Sequence, residues 1–256
     1  MPSFVNLRVI VALMMREMST RYGRSAGGYL WALLEPAGMI LILAIVFSLA
    51  LRTPSLGSSF VLFYATGYFA FHFYVELSSF AASAINMNRP LLTYPRVTPI
   101  DAIIARALLQ FFTLAVAAII ILSGIVAWEE VYTVYDFVAI IKAAAYSSLL
   151  GVGVGSTNAV IFAFFPTYIN VYRILTRPLF LISGVIFTYE ELPGVAQDLL
   201  WWNPILHCAG LMRRGFYPTY HASYVSELYV VGLGLGFLTI GLFLVWANKT
   251  YLIEQS

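Results

Sequence analysis

Two ionisable residues, His72 and Glu76, lie four positions apart in a stretch that is otherwise mostly apolar and aromatic. On a helix, residues at this spacing share one face. Ionisable groups in such stretches usually face the interior of a helix bundle or a water-filled cavity. The pair is therefore interpreted either as a mutually satisfied structural contact or as a polar wall of a translocation path. Proton coupling is a third interpretation, which one pair supports poorly because it makes a poor relay.

The same stretch is rich in aromatic residues, which include Phe60, Phe63, Tyr64, Tyr68, Phe69, Phe71, Phe73 and Tyr74. Aromatic rings at the ends of membrane spans form interfacial belts, and tyrosine combines an apolar face with a polar tip. Such rings would suit sugar rings that slide past them, whereas packing in the core or against lipid is the alternative for each ring. The candidate residues of a substrate path are Tyr64, Tyr68, His72, Glu76, Trp201 and Trp202.

A glycine-rich run at 151–157 is the nearest approach to a nucleotide-binding motif. It lacks the lysine that a P-loop requires, and it lies within a hydrophobic stretch. We interpret Gly151, Gly155 and Ser156 as a small-residue face for close helix packing. Three glycines near the C-terminal end receive the same interpretation: Gly232, Gly234 and Gly236.

Catalytic and metal-binding sites are not indicated by the remaining residues. No serine has a histidine placed to act as its base in an intramembrane hydrolase. No cluster of cysteine and histidine has the spacing of metal ligands. We therefore predict that this chain has no catalytic residue, no metal and no cofactor of its own.

Composition identifies lipid as the solvent of this chain. Hydrophobic residues make up 61% of its 256 residues and charged residues only 10%, whereas soluble domains average roughly 45–50% and about 25%. The single cysteine excludes a disulfide framework, and a net charge of +2 is too small to indicate nucleic-acid binding. The basic start, residues 1–24, lacks a small-residue cleavage site, so we expect no cleavable signal peptide.

Six stretches have the length and apolarity of membrane helices, because a hydrocarbon core of ~30 Å requires ~20 helical residues. They are residues 30–51, 60–84, 103–128, 137–165, 174–189 and 228–246. The fifth has 16 residues, contains Pro178 and would span only ~24 Å. The predicted fold is an all-α integral membrane protein with six transmembrane helices in a single domain, residues 1–256. With both termini in the cytoplasm, ten Lys and Arg residues fall in inner segments and three in outer ones, in agreement with the positive-inside rule.

Two inner segments lie outside the six helices. Residues 1–27 repeat apolar positions at helical spacing among arginines, which predicts an amphipathic helix on the inner membrane surface. Residues 85–101 form a loop rich in proline, whose apolar residues indicate either a docking surface or a loop folded back on the membrane. These apolar residues are Leu91, Leu92, Tyr94 and Val97.

One outer segment, residues 190–226, is too apolar for an ordinary solvated loop. Its stretches 195–202 and 205–212 are predicted to be short re-entrant helices that dip into the membrane from outside. Irregular backbone at that depth is tolerated only against protein or beside a water-filled cavity.

Residues 16–36, REMSTRYGRSAGGYLWALLEP, resemble the N-terminal region of ABC-2 exporter permeases, and most of all the capsular-polysaccharide export permeases. The matching features are Arg21 with Tyr22, the run 28–31, and Glu35 with Pro36. Two later runs match in the same order, Asn-Arg-Pro-Leu-Leu at 88–92 and Trp-Asn-Pro at 202–204. The resemblance covers essentially the whole chain and departs at 26–27, where a bulkier residue is expected in one place.

The resemblance implies a homodimeric permease that pairs with two copies of a separate ATPase, which would bind the ATP and Mg²⁺. A coupling helix in the loop 85–101 and the N-terminal helix would both lie at the interface with this ATPase. The coupling residues would be Asn88, Arg89, Pro90, Leu91 and Leu92 of the loop, with Arg16, Arg21 and Tyr22 of the N-terminal helix.

The resemblance also implies a substrate and a location. Lipid-linked polysaccharide would leave the bacterial cytoplasm through the inner membrane, along a path lined by the first and fifth helices. The segment 190–226 would gate the exit, and a periplasmic adaptor and an outer-membrane channel would continue the route.

Three alternatives stay open. An ABC-2 permease for O-antigen, teichoic acid, a lipid or a drug would share the fold. A self-contained secondary transporter would couple through Glu76, but the chain lacks the internal repeats and paired broken helices of that class. A membrane enzyme would depend on one serine or histidine.

Overall fold

The computed structural model describes residues 3–22, 28–94, 96–129 and 134–254, and this part of the chain contains helices and no strands. The prediction of an all-α fold is confirmed for these residues. In chain order the helices are α1 (Ser3–Tyr22), α2 (Gly28–Ala50), α3 (Phe60–Met87), α4 (Arg89–Leu92), α5 (Pro99–Trp128), α6 (Phe137–Phe164), α7 (Tyr168–Ile182), α8 (Gly194–Leu200), α9 (Pro204–Phe216), α10 (Glu227–Ala247) and α11 (Lys249–Glu254), with a 3-10 turn at Tyr189–Glu191.

Five of these helices, with apolar stretches of 21 to 30 residues, are long and apolar enough to cross a membrane: α2, α3, α5, α6 and α10. They correspond to five of the six predicted spans. α5 begins at Pro99 rather than at residue 103, because Thr98 caps it. The Asp101 N–H donates to Thr98 Oγ1 at 3.2 Å, and the Thr98 N–H donates to Asp101 Oδ2 at 3.0 Å. This capping box fixes the start of the helix after a proline-rich segment.

The predicted boundaries of the fifth span, residues 174–189, are wrong. The helix found there is α7, which has 15 residues, begins at Tyr168 and ends at Ile182. At the rise of an α-helix it extends over only ~22 Å. Gly184 follows its end with a φ of +71°, the left-handed conformation that commonly ends helices. α7 is not among the five candidate spans, and a sixth membrane crossing stays a prediction.

The long helix α3 lies at the centre of the bundle. In its most apolar window 72% of the residues are buried, against 22% in α2, α5 and α10. α6 packs on it through small residues: a Cβ added to Gly151 would lie 2.6 Å from the carbonyl oxygen of Tyr74. A Cβ on Gly155 would collide with the carbonyl of Ser78. The predicted small-residue face is therefore confirmed.

α6 packs against α10 in the same way. A Cβ added to Gly241 would lie 2.7 Å from the Cβ of Ser156, and Gly234 also packs against α6. The prediction is wrong for Gly232 and Gly236 within the described part of the chain, because no atom of it lies within 4 Å of a Cβ at either position. Both are two residues from Gly234 along the helix, so they point away from α6.

The segment between α7 and α10 folds against the bundle. Eleven of the 13 residues of α9 are buried, and this helix contacts α3 and α6. α8, in contrast, buries none of its residues. α8 and α9 cover the two stretches predicted to be short helices, while their depth in a membrane stays a prediction.

Candidate functional site

A buried ion pair joins the N-terminal helix to the bundle. Glu17 Oε1 of α1 lies 3.3 Å from Arg106 Nη2 of α5, and the two side chains are 17% and 7% exposed. Arg106 Nη1 also donates to the carbonyl oxygen of Ser83 in α3 at 3.2 Å and to its Oγ at 3.3 Å. The guanidinium carbon lies 4.9 Å from the ring centre of Phe80, within the range of a cation–π contact. One arginine therefore connects α1, α3 and α5.

Asn88 lies where α3 ends and α4 begins, and its side chain is buried. Its Nδ2 donates to the carbonyl of Ala84 at 3.0 Å, and its own backbone carbonyl accepts from N–H groups of α4. Arg16 Nη1 of α1 donates to Asn88 Oδ1 at 3.5 Å. The structure thus brings together two predicted coupling residues, at the end of the bundle that holds the ion pair. The side chains of Arg21 and Tyr22 lie outside the described part of the chain.

The one-turn helix α4 divides the other coupling residues between core and surface. Leu92 is 3% exposed and packs in a cluster with Ile103 and Leu252. The prediction that Leu92 belongs to an exposed apolar patch is therefore wrong, and Leu91 is half-buried. Four of the residues exposed around this turn define what we call the α4 surface: Met87, Arg89, Pro90 and Tyr94.

The four predicted path residues in α3 have different surroundings. Tyr64 is fully buried among aromatic rings of α2 and α3. The hydroxyl of Tyr68 lies 3.3 Å from His72 Nδ1, and the two rings stack with centroids 4.9 Å apart. Glu76 Oε2 accepts a hydrogen bond from Gln110 Nε2 of α5 at 2.9 Å. These hydrogen bonds join His72 and Glu76 to other residues rather than to each other, and a role in a substrate path stays a prediction for all four.

The two tryptophans of the outer segment differ in exposure. Trp201 is half-buried, and its indole N–H donates to the carbonyl of Tyr224 at 3.1 Å. Trp202 is exposed, and its carbonyl accepts from the hydroxyl of Tyr229 in α10 at 2.7 Å. Trp201 therefore connects two parts of the outer segment, whereas the ring of Trp202 is available for contact with another molecule.

His207 of α9 forms two further hydrogen bonds in the outer segment. Its Nε2 lies 2.7 Å from the carbonyl oxygen of Trp201, and the Ser226 N–H donates to its Nδ1 at 3.2 Å. Because Nδ1 accepts, the proton of the neutral ring is on Nε2, which donates to Trp201. Burial lowers the pKa of His207. We call His207 with Trp201 and Ser226 the outer clasp.

Arg213 holds the chain that follows α7 against α3 and α9. It is buried, its Nη1 donates to the carbonyl of Phe187 at 2.7 Å, and its Nη2 donates to that of Val185 at 2.9 Å. Its guanidinium carbon lies 4.1 Å from the ring centre of Phe63. Gly67 of α3 provides the space for this guanidinium, since a Cβ at that position would lie 2.9 Å from Arg213 Nη2. Burial lowers the pKa of the guanidinium, and backbone carbonyls with an aromatic face solvate it.

The sequence pattern does not single out four residues that the structure places at these contacts: Glu17, Arg106, Gln110 and Arg213. A usable signal exists for Arg106 and Gln110, because a charged or amide side chain in an apolar span requires a partner. No comparable signal points from Glu17 to Arg106, which is 89 residues away in the chain by subtraction of their numbers.

These features define a bundle of helices, five of them long and apolar enough to cross a membrane, in which an N-terminal helix and a short loop helix meet at one end. Residues 8–217 match the family described as ABC-2 type transporter. The match covers most of the chain, which belongs to this family. The resemblance to ABC-2 exporter permeases is thereby confirmed.

Curated relatives are similar over nearly their whole length. The chain is 35% identical to the polysialic acid transport protein KpsM of Escherichia coli, over 91% of this chain and 90% of that protein. It is 27% identical to the capsule polysaccharide export inner-membrane protein CtrC of Neisseria meningitidis serogroup B, over 94% and 91%. It is 28% identical to the corresponding protein BexB of Haemophilus influenzae, over 93% and 90%.

Proposed function

We propose that this chain is the membrane permease subunit of an ATP-driven exporter that moves capsular polysaccharide across the bacterial inner membrane. The observation that carries this proposal is the 35% identity with a polysialic acid transport protein across nearly the whole of both chains. The two relatives named as capsule polysaccharide export inner-membrane proteins support the same cargo and location. ATP and Mg²⁺ bind to a separate ATPase subunit, and this chain holds no cofactor.

In this proposal the ATPase docks on the α4 surface. The surface combines the exposed side chains of Met87, Arg89, Pro90 and Tyr94, an apolar cluster with a charge beside it. Beneath it, Leu92 anchors α4 in the core and Asn88 connects α4 to α3 and α1. A push on the α4 surface therefore moves α3 directly, and it moves α1 and α5 through Arg16 and the Glu17–Arg106 pair.

The membrane arrangement is also part of the proposal. α7 is the sixth membrane element, α1 lies on the cytoplasmic surface, and both termini are cytoplasmic. Two observations support this arrangement: α7 buries none of its side chains within the chain, and α1 exposes the apolar residues Leu7, Val11, Met15 and Met18. Both faces require lipid or another subunit, because exposed apolar patches mark interaction surfaces.

Two copies of the chain form the exporter with two ATPase subunits, and the polymer passes between the copies. The first and fifth membrane helices, α2 and α7, line the path, and both have faces that the chain itself leaves uncovered. α8 and α9 form the outer gate, where the exposed ring of Trp202 meets the polymer or the periplasmic adaptor that leads to an outer-membrane channel. Tyr68, His72 and Glu76 act as polar contacts only if helix movement opens the core around them.

Deletion of the chain from its host tests this function. The expected result is loss of polysaccharide from the cell surface with intact synthesis, so that polymer accumulates inside the cell. Expression of the wild-type chain in the deletion strain must restore surface polymer. Unchanged surface polysaccharide in the deletion strain would contradict the proposal.

A further inference from the structure

A cavity of about 730 Å³ lies between α3 and α7. Its volume is within the range of roughly 300–1,000 Å³ that is typical of small-molecule sites. On the α3 side the lining residues follow one helical stripe, which changes from apolar at Phe71 and Val75 to polar at Ser79 and Asn86. The cavity is thus graded in polarity along its length.

The α7 side of the cavity carries two positive charges. Arg173 and Arg177 both line it and are four residues apart, so they lie on the same face of α7. Tyr172 and Phe180 fix this helix against α3: the hydroxyls of Tyr172 and Ser78 are 2.8 Å apart, and the rings of Phe180 and Phe71 are in edge contact. Neighbouring residues therefore hold the two arginines beside the cavity.

Neither arginine has an acidic partner among the residues that the structure describes. The described ion pairs are those of Arg106 with Glu17 and of Lys142 with Glu227. Two like charges one helical turn apart repel each other, and an anion between them would remove this repulsion. Guanidinium groups bind phosphate particularly well, because their N–H groups match its oxygens in pairs.

The ligand must also be amphiphilic. Phe71, Val75 and Phe180 form an apolar wall on the side away from Asn86, and such a wall favours hydrocarbon. The route of access is lateral, because α7 buries none of its side chains and so leaves the cavity open beside it. A lipid in the membrane can therefore enter from the side.

We propose that the cavity between α3 and α7 binds the phosphate headgroup of a lipid, with Arg173 and Arg177 on the phosphate and the first part of the hydrocarbon chain along Phe71 and Phe180. This phosphate belongs either to a bulk phospholipid or to the lipid anchor of the exported polymer. Only the second source rests on the proposed function.

Native mass spectrometry of the purified exporter with phosphatidylglycerol or phosphatidylcholine tests the binding. The wild-type protein should retain the anionic lipid in preference to the zwitterionic one. The double variant R173Q/R177Q should retain phosphatidylglycerol at least about tenfold less well, because the loss of even one charge-assisted contact changes an equilibrium by roughly that factor.

Two control variants separate this site from general surface charge. R96Q/K249Q removes two exposed charges outside the cavity lining and should retain the lipid as the wild-type protein does. Ser79→Leu places a bulkier side chain in the cavity lining without changing charge and should weaken retention of the lipid. The proposal is overturned if the R173Q/R177Q and R96Q/K249Q variants retain phosphatidylglycerol equally, or if phosphatidylcholine is retained as well as phosphatidylglycerol.

Export measured in the same variants identifies the source of the phosphate. Loss of polymer export in R173Q/R177Q, with ATPase binding intact, assigns the site to the anchor of the cargo. Normal export with lost lipid binding assigns it to a bulk phospholipid. If the chain exports no polysaccharide at all, the proposed function fails while the lipid-binding result stands by itself.

Discussion

Glu17 and Arg106 form an ion pair of 3.3 Å that joins the N-terminal helix α1 to α5. Because Arg106 also donates to Ser83 of α3, one guanidinium connects three helices near the α4 surface. The pair is largely shielded from water, so removal of Glu17 takes a counter-charge away from a buried guanidinium. α1 is therefore a fixed part of the bundle at the end where we propose that the ATPase binds.

Glu17→Gln should lower the free energy of unfolding by about 1–3 kcal/mol, because the buried Arg106 would lose the charge of Glu17 beside it. It should also lower the ATPase rate of the purified exporter, since α1 would be less firmly held where we propose that the ATPase docks. Thermal unfolding of the purified exporter and its ATPase rate measure the two effects.

The matched control for Glu17→Gln is Glu227→Gln. It breaks the Lys142–Glu227 pair, whose side chains are 39% and 32% exposed, so solvent screening leaves this pair a much smaller contribution to stability than the buried pair. Equal stability losses in the two variants, or no loss in Glu17→Gln, would contradict the assigned role of the buried pair.

Arg89→Glu and Tyr94→Ala should prevent co-purification of the ATPase while leaving the melting temperature of the permease unchanged. Both side chains are exposed on the α4 surface, so their replacement affects docking rather than packing. Leu92→Ala should instead destabilise the permease by about 2–5 kcal/mol, because it leaves a cavity in the core. Trp128→Ala, at an exposed position at the far end of α5, is the control for ATPase co-purification. Normal ATPase binding by Arg89→Glu and Tyr94→Ala would exclude the α4 surface as the docking site.

The outer clasp should weaken in acid. The pKa of His207 is below its ordinary value of about 6.5 because the ring is buried. As the pH falls below about 6.5, the unfolded chain takes up a proton that the folded ring resists, so the stability of the fold falls. The stability that neutral His207 contributes is fully present above that pH, since the ring is neutral in the folded and in the unfolded chain there.

Thermal unfolding followed from about pH 8 down to about pH 5.5 measures this effect around the ordinary histidine pKa. His207→Gln keeps a donor and an acceptor but removes the titration, and its stability should depend less on pH over this range. His221→Gln, at an exposed position outside the outer clasp, is the control for the replacement of a histidine. Identical profiles for the wild-type protein and His207→Gln would rule out the clasp as an acid-sensitive contact.

Gly155→Ala should destabilise the permease, because the added Cβ would meet the Ser78 carbonyl of α3. Gly→Ala in a helix otherwise stabilises by roughly 0.5–1 kcal/mol, and Gly232→Ala should do so, since none of the residues that the structure describes comes within 4 Å of an added Cβ. Opposite shifts of melting temperature are therefore expected from the same chemical change. A stabilising Gly155→Ala would contradict the close packing of α6 on α3.

Features set by neighbouring residues in the chain were predictable from the sequence. Apolar runs of sufficient length give the five long helices, and the spacing of Gly151 and Gly155 predicts the face of α6 that packs on α3. The start of α5 could have been placed more accurately, because Thr98 and Asp101 have the spacing of a capping box.

Features set by distant residues were not predictable. Leu92 is buried because Leu252 and Ile103 cover it. The sequence pattern of the loop does not indicate that these two residues pack there. Glu76 accepts a hydrogen bond from Gln110 of another helix rather than from His72 of its own helix. The early end of α7 depends on Gly184. In the sequence this residue belongs to an apolar run, whereas in the structure its left-handed φ ends the helix.

ATP-dependent uptake of labelled polymer into inside-out membrane vesicles tests the central claim most directly. Vesicles that contain this chain and its ATPase should accumulate the lipid-linked polysaccharide in their lumen only when ATP is present. Vesicles with Arg89→Glu should fail to accumulate it while keeping the permease folded. Uptake without ATP, or equal uptake in vesicles that lack this chain, would contradict the assignment of the chain as the permease of an ATP-driven polysaccharide exporter.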